Sequence, residues 1–388
     1  MKKLFWRLRY AVVMLLLGSV CIFAGCGNAM EGQGAVSVGG NSSGDSLEEQ
    51  TEKVLASMSL TEKVGQMVMF GFYGTDVNED VLYMLHQFHM GGAALFARNV
   101  ETPEQVARLT KHLQEQAEEK VPLFIAVDEE GGMVAHMGEA MPVPPSQQAI
   151  GDSGDPAQAG RWAQEIARQL KAMGLNMNFA PVADIGFERE RSYSTDPYIV
   201  TDFIKSAAEG YEKENLYYTL KHFPGIGKGK VDSHYDISDI ESTVEEMEAD
   251  ELLPFRAVIE GHPAENFSVM VTHIKYPKLD AQYPASLSRA VITGLLRERL
   301  GYRGVVITDD MEMGAVSRYY TPAERGVLAV KAGADIVMIC HEYQHAQEMY
   351  LGILDAVKAG EISEARIDDS VRRIVRMKLS HELESKEK

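Results

Sequence analysis

The sequence predicts a closed (β/α)8 barrel, a single-domain fold of the α/β class. Eight short apolar runs of β type alternate with amphipathic helical stretches, and runs that are apolar on both faces indicate parallel strands covered by helices. Eight such units within 388 residues favour a closed barrel over an open doubly wound sheet, since no Gly-rich dinucleotide loop follows the first strand. The predicted strands are 65–73, 91–97, 122–128, 176–184, 217–223, 268–273, 304–309 and 334–340.

Helical periodicity fills the intervals between these runs and continues after the last one. The clearest amphipathic stretches are predicted as helices 102–119, 155–173, 241–262, 288–300, 321–332, 343–359 and 363–380.

The N-terminus differs in composition from the rest of the chain. Lys2, Lys3, Arg7 and Arg9 precede an apolar run, which is typical of a secretory signal over residues 1–25. The segment ends in Phe-Ala-Gly before Cys26, which resembles a bacterial lipoprotein processing site; cleavage that leaves Cys26 unlipidated is the alternative. Residues 26–46 are rich in Gly and Ser and predict a flexible tether, leaving 47–388 as the barrel domain. We therefore expect a protein on the outer side of a bacterial cell membrane, held by a lipid on Cys26.

Charge and cysteine content exclude several kinds of partner. The formal net charge is −19, and removal of four positive charges with the signal takes it to −23, which argues against nucleic acid. Of three cysteines, Cys21 leaves with the signal, Cys26 is the lipidation site and Cys340 lies in an apolar strand. No disulfide framework is expected, and neither a metal ion nor an organic cofactor. We expect a monomer.

Ionisable residues stand at the ends of five predicted strands. The tips of parallel barrel strands share one rim, so these side chains are expected to converge on one pocket. Each has a plainer interpretation as a helix cap, a surface ion pair or a satisfied rim histidine, but five together are unlikely to arise by chance. They are Asp128 with Glu129 and Glu130, Asp184 with Arg189 and Arg191, Lys221 with His222, His273, and Asp309 with Asp310.

The stretch 217–236 carries more reactive side chains than any other. A β run ends in Lys221 and His222, and a glycine-rich loop then leads to Asp232 and His234. A carboxylate beside an imidazole fixes its tautomer and raises its basicity, so this pair is a candidate for proton transfer.

Six motifs together resemble glycoside hydrolase family 3, in its branch of bacterial β-N-acetylglucosaminidases. The resemblance extends over about residues 50–380. The motifs are AVDEEGG (126–132), NFAPVADI (178–185), ERSYSTDP (190–197), KHFPGIGKGKVDSH (221–234), VMVTHIKYP (269–277) and GVVITDDMEM (304–313).

The resemblance implies a retaining glycosidase, in which Asp309 attacks the anomeric carbon; Asp310 is the alternative nucleophile. It also implies that His234, oriented by Asp232, serves as acid and base. The chain ends about 48 residues after the eighth predicted strand, so the acid/base is expected from a barrel loop. An imidazole also repels an anionic acceptor less than a carboxylate does. Transfer to phosphate is therefore an open alternative, which sugar 1-phosphate formation would test.

The resemblance further implies that Asp128, Arg191, Lys221 and His222 bind the sugar hydroxyls, and that Asp184 supports the site by holding Arg191 or Lys221. The chain departs from the family at three positions, since the family often has arginine where this chain has Met133 and His136, and histidine where it has Ile226. His136 is expected to bind the sugar weakly or not at all.

The predicted function is removal of terminal β-linked N-acetylglucosamine from cell-wall or chitin-type oligosaccharides. A β-glucosidase or a broad β-hexosaminidase is the alternative within the enzyme class. A sugar-binding lipoprotein without catalysis is the alternative outside it.

Overall fold

The structure is a computed structural model that describes residues 46–117, 120–186, 190–227 and 238–387. Eight parallel strands form a closed barrel, as predicted, and helices surround it. The first strand pairs with the eighth, with Val68 opposite Val337, which closes the ring. In chain order the barrel strands are Val68–Gly71, Gly92–Leu95, Phe124–Val127, Met177–Asn178, Tyr217–Phe223, Phe267–Val271, Val305–Asp310 and Ile336–Ile339.

The strands are continuous apolar runs because both faces of a barrel strand are covered. Every residue of the first three strands is buried, and so is every residue of the fifth. At Gly71 the neighbouring eighth strand comes so close that an added Cβ would lie 2.2 Å from the carbonyl oxygen of Cys340. Only glycine fits there, so the ring closes tightly beside the rim.

Helices on the outside bury one apolar face against the strands. The first begins after Ser46, whose side chain and Glu49 form a reciprocal capping box. Within the described residues, no helix is both long enough and apolar enough to cross a membrane. The α-helices are Leu47–Ser57, Leu60–Gln66, Glu79–Phe88, Pro103–Gln116, Gln147–Gly151, Ala157–Ala172, Pro197–Lys213, Val244–Ala249, Leu253–Gly261, Gly314–Ser317, Pro322–Ala332, Tyr343–Lys358 and Glu364–Glu387, with a π-helix at Ala290–Arg299.

Three predicted elements differ in extent from those observed. The predicted helix 241–262 is two helices, because the backbone leaves helical geometry at Asp250 and Pro254 stands in the first turn of a new helix. The predicted strand 176–184 is regular only at Met177–Asn178, since Pro181 has no N–H to donate to a ladder. The start of the predicted strand 65–73 belongs to the preceding helix, which runs to Gln66.

A short hairpin stands on the rim just beyond the third barrel strand. Its two strands are Glu129–Gly131 and Val134–Ala135, paired antiparallel. We call it the rim hairpin. It carries Glu130 inward and places His136 at its end, where the His136 amide donates to the carbonyl oxygen of Asp128 at 3.3 Å.

Candidate active site

Lys221 and Asp128 meet across the rim, as convergence of the strand ends predicts. The Lys221 ammonium hydrogen-bonds the carboxylate of Asp128 and lies 2.6 Å from Oε1 of Glu130. The side chain of Lys221 is only 3% exposed. Burial acts to lower the pKa of Lys221, but the two carboxylates outweigh it and the pKa is raised. Lys221 is therefore a fixed cation and hydrogen-bond donor.

Glu130 joins the two cations of the site, a role that the sequence analysis did not assign to it. Its carboxylate accepts two hydrogen bonds from Arg191, at 2.8 Å from Nε and 2.7 Å from Nη2, while Oε1 also contacts Lys221. The side chain is 1% exposed. Burial acts to raise the pKa of Glu130, but Lys221 and Arg191 bring it down to about 2. The same pairing raises the pKa of Arg191 against the effect of burial.

The four side chains Asp128, Lys221, Glu130 and Arg191 form a continuous row of alternating charge, which we call the polar floor. Two anions and two cations balance, so the row is buried without net charge. The spacing in the sequence could have indicated this position for Glu130. Along extended backbone, residues two apart point to the same side, and Glu130 is two residues after Asp128.

Asp184 holds His222 in place. Its Oδ2 lies 2.7 Å from Nδ1 of His222, and the carboxylate accepts the backbone amides of His222 and, at 2.8 Å, Ile226. The direct contacts described for Lys221 and Arg191 are with Asp128 and Glu130, and the charge of Asp184 also acts to raise the pKa of Arg191. That Asp184 holds Arg191 or Lys221 stays a prediction. Because Nδ1 of His222 faces Asp184, the other ring nitrogen, Nε2, points away from the Asp184 carboxylate.

Asp309 stands at the tip of the seventh barrel strand, and its carboxylate accepts one hydrogen bond among the described residues. Its Oδ1 accepts the amide of Asp310 at 2.8 Å, and no described residue hydrogen-bonds Oδ2. Burial acts to raise the pKa of Asp309, but His222, His273, the Asp310 amide and Lys221 lower it below its usual range. The group is thus an anion near neutral pH with an oxygen free to act.

Asp310, in contrast, is committed to structure. Its Oδ1 accepts the amides of Glu312 at 3.0 Å and Cys340 at 3.2 Å, and Oδ2 lies 3.3 Å from Nε2 of His341. Its carbonyl oxygen contacts Nε2 of His273 at 2.9 Å. This difference favours Asp309 over Asp310 as the nucleophile.

His273 is a buried support and not a group open to a ligand. Its Nδ1 lies 2.7 Å from Oγ of Ser286, and its other nitrogen meets the Asp310 carbonyl. Burial lowers the pKa of His273, so the ring is neutral at physiological pH. Both ring nitrogens of His273 have hydrogen-bond partners, so its contacts agree with the plainer interpretation of a structural histidine at the rim.

Glu129 is a second carboxylate to which the sequence analysis assigned no role. Its Oε2 accepts the amide of Met137 at 2.9 Å, and Oε1 is buried without a hydrogen-bond partner among the described residues. Burial, followed by the charges of Asp128 and Glu130, raises its pKa to about 7 against the pull of backbone amides.

The positions where arginines are missing have different environments. Met133 is exposed at the turn of the rim hairpin. His136 is half-buried, and its ring lies 5.5 Å from the ring of Phe96. Whether His136 binds sugar stays a prediction.

The first part of the predicted catalytic loop is closely packed. Gly225 has a φ of +127°, and a Cβ at Gly227 would lie 1.8 Å from the carbonyl oxygen of Ile185. The loop is thus anchored where it leaves the fifth strand. Asp232, His234 and Arg189 lie outside the described residues. Within the part of the chain that is described, no set of three or more His, Cys, Asp or Glu side chains could hold a metal ion.

A closed parallel barrel with a free carboxylate beside a neutral polar floor has the features of a barrel enzyme acting on a polyhydroxylated ligand. The family profile described as the glycosyl hydrolase family 3 N terminal domain matches residues 59–377. The chain belongs to this family.

The similar proteins agree with the branch that the motifs indicate. Beta-hexosaminidase A of Pseudoalteromonas piscicida is 30% identical over 341 residues, covering 78% of this chain and 56% of that protein. The beta-hexosaminidase of Xylella fastidiosa is 35% identical over 293 residues, covering 71% and 83%. A solved family 3 beta-N-acetylglucosaminidase from Paenibacillus sp. has a TM-score of 0.81 and 38% identity, covering 84% of this chain and 64% of that one. This chain therefore spans little more than half of the first of these proteins.

The shared carboxylate gives a first prediction. Replacing Glu130 by Gln leaves Lys221 and Arg191 without their common anion, so both cations shift. We expect kcat/KM for a glycoside substrate to fall by about 10²-fold, since misplaced binding groups lose orientation. Steady-state kinetics measure this. Glu165→Gln, which breaks the exposed pair with Arg168, is the control and should change nothing. Equal kinetics in both variants would contradict the role given to Glu130.

Glu129 predicts a pH dependence of stability. Its folded pKa of about 7 exceeds the ordinary 4.5, so the folded state binds the proton more tightly. Its contribution to the free energy of unfolding is complete below about pH 4.5 and is lost as pH rises to 7. Glu129→Gln should raise the melting temperature at pH 8 relative to the wild type and have little effect at pH 5. An equal shift of the melting temperature at pH 5 and pH 8 would refute the prediction for Glu129.

Proposed function

We propose that this protein is an exo-acting β-N-acetylglucosaminidase that removes terminal β-linked N-acetylglucosamine with retention of configuration. The observation that carries the proposal is the contrast between Asp309, which has a free carboxylate oxygen, and Asp310, whose carboxylate is held by two amides and His341. Family membership and the names of the relatives support the sugar class. The natural substrates would be cell-wall or chitin-type oligosaccharides.

The polar floor suits recognition of sugar hydroxyls. Asp128 and Glu130 offer acceptor oxygens, while Lys221 and Arg191 offer donors. Because Nδ1 of His222 faces Asp184, Nε2 of the neutral ring is an acceptor. Because each group is already held by a partner, a sugar meets them in fixed positions, and binding costs little side-chain entropy. These contacts would orient the anomeric carbon over Asp309.

The reaction would follow two displacements. In the first, an Asp309 oxygen bonds to the anomeric carbon while the bond to the leaving oxygen breaks, and protonated His234 gives that oxygen its proton. In the second, neutral His234 takes a proton from water, which attacks the same carbon and releases Asp309. Asp232 would orient the imidazole. The proposal for this dyad rests on the sequence.

The decisive experiment compares an aryl β-N-acetylglucosaminide with the matching β-glucoside, using wild type and Asp309→Ala. We expect hydrolysis of the first substrate only, with a loss of at least about 10³-fold in the variant, because the group that forms the covalent intermediate is gone. Trapping with a 5-fluoro glycosyl fluoride, followed by peptide mass spectrometry, would place the label on Asp309. A label on Asp310 would overturn the assignment.

The outcomes also separate the alternatives. Equal rates on both substrates would indicate a glucosidase or a broad hexosaminidase. Glycan binding without hydrolysis would indicate a binding lipoprotein. Replacing His234 by Ala should slow poor leaving groups far more than activated aryl groups, because only the former need a proton.

We also propose that a lipid on Cys26 anchors the protein outside the bacterial cell membrane. The charged, apolar and small-residue pattern of 1–26 supports this. Cys26→Ala should move the protein from the membrane fraction to the soluble fraction. Unchanged fractionation of that variant would contradict it.

A further inference from the structure

A second group of side chains lines the rim outside the polar floor. The ring of Phe96, which follows the second barrel strand, lies 5.5 Å from the ring of His136 and 5.9 Å from that of His341. The Arg98 guanidinium lies 4.4 Å from the centre of the Phe96 ring. We call these four residues the rim wall. It is an aromatic surface with cationic character beside the tip of the seventh strand.

The wall is rigid. Arg98 donates from Nε to the carbonyl oxygen of Phe72 at 2.8 Å and from Nη2 to that of Cys340. The Phe96 amide donates to Oδ1 of Asn99 at 2.9 Å. Both ends of the Phe96–Arg98 stack are therefore tied to backbone, which is the condition for a preorganised binding surface.

Arg98 keeps its charge uncompensated by a direct ion pair. Its described hydrogen bonds go to neutral carbonyl oxygens, and none of the described carboxylates lies within salt-bridge distance of it. The polar floor balances its own charges, so the wall differs from it in presenting a net positive group in a chain of net charge −19.

His341 is the exposed member of the wall nearest the proposed nucleophile. Its side chain is 44% exposed, and Nε2 lies 3.3 Å from Oδ2 of Asp310, the neighbour of Asp309. No described residue hydrogen-bonds Nδ1. With Nε2 directed at a carboxylate, Nδ1 is an acceptor when the ring is neutral and a donor when it is protonated. The atom open to a ligand thus changes character with protonation.

The charged groups facing His341 come from three elements. Asp310 contacts its ring, Glu312 accepts its amide at 2.5 Å, and Arg98 lies across the Phe96 stack. The Asp310 hydrogen bond is the largest influence, followed by the opposing effect of partial burial. The negative charges of Asp310 and Glu312 also raise the pKa, and the positive charge of Arg98 lowers it. The pKa of His341 is raised above 6.5 as a result.

The position of the wall relates it to the leaving group. The polar floor spans the third to fifth strands, and its two central side chains, Lys221 and Glu130, are almost fully buried, as a pocket for one terminal sugar requires. The wall lies beside the floor, beyond the second and eighth strands and at the end of the rim hairpin, and is partly exposed. In an exo-acting glycosidase the terminal sugar fills the enclosed pocket, and the group to be released extends toward solvent.

We propose that the rim wall is the subsite for the leaving group, and that His341 gives it a preference for leaving groups that carry an anionic substituent. Phe96 and the rings beside it supply apolar contact, and Nδ1 of His341 with Arg98 supplies positive charge. The inference rests on the proposed glycosidase activity and names the residues that select its leaving group.

The test uses two matched substrates, the 3-carboxyphenyl and 3-carbamoylphenyl β-N-acetylglucosaminides. They have nearly the same shape and differ in charge. The ratio of their kcat/KM values, compared between wild type and His341→Gln, cancels the difference in leaving-group chemistry. We expect the variant to lose roughly fivefold to tenfold of the preference for the carboxylate, the size of a partly exposed charge-assisted hydrogen bond. In the wild type the preference should fall as pH rises through the pKa of His341, and in the variant this step should be absent.

His345→Gln is the matched control, because His345 is similarly exposed, pairs with Glu312 at 2.6 Å and does not contact Phe96. It should keep the wild-type ratio. Phe96→Leu should raise KM for both substrates. An unchanged ratio and pH profile in His341→Gln would overturn the role of His341, and unchanged KM in Phe96→Leu would overturn the subsite. If wild type cleaves neither substrate, the glycosidase proposal itself fails, which is a distinguishable result.

Discussion

The site depends on one carboxylate that two buried cations share. Lys221 and Arg191 could not lie within the rim of the barrel without an anion, because an isolated buried charge is strongly disfavoured. Glu130 supplies that anion, with two hydrogen bonds to Arg191 and one to Lys221. Asp128 then balances the second cation. Each residue fixes the next, so the third, fourth and fifth strands contribute to one rigid surface.

Hydrogen-bond partners also determine the difference between the two adjacent aspartates of the seventh strand. Their side chains are chemically identical, and only their surroundings separate them. Amides from Glu312 and Cys340 and the ring of His341 hold Asp310, while Asp309 keeps one oxygen free. His273, which follows the sixth strand, contacts the carbonyl oxygen of Asp310. A catalytic group can be reactive and still well placed when its neighbour carries the structural bonds.

The barrel was predictable because its strands are buried on both faces and therefore appear as continuous apolar runs. The irregular parts of the barrel were harder to predict from sequence. Periodicity does not capture local backbone geometry, which determines the effect of Pro181 on the fourth strand and the break near Asp250. Strand-end positions predicted which residues reach the rim, and contacts join Asp128, Arg191 and Lys221 there as expected. The pairing partners were not predictable. Glu130 holds Lys221 and Arg191 while Asp184 holds His222, because contacts depend on side-chain direction in three dimensions.

The bond between Asp310 and the amide of Cys340 links the seventh strand to the eighth. A ribosome makes residue 340 long after 128, 191 and 221, so the groups that would hold a sugar leave the tunnel before the carboxylate beside them can be secured. The last strand therefore does more than complete the ring. Its arrival supplies the amide that holds Asp310 beside the proposed nucleophile, and a nascent chain that stops short of it would lack that contact.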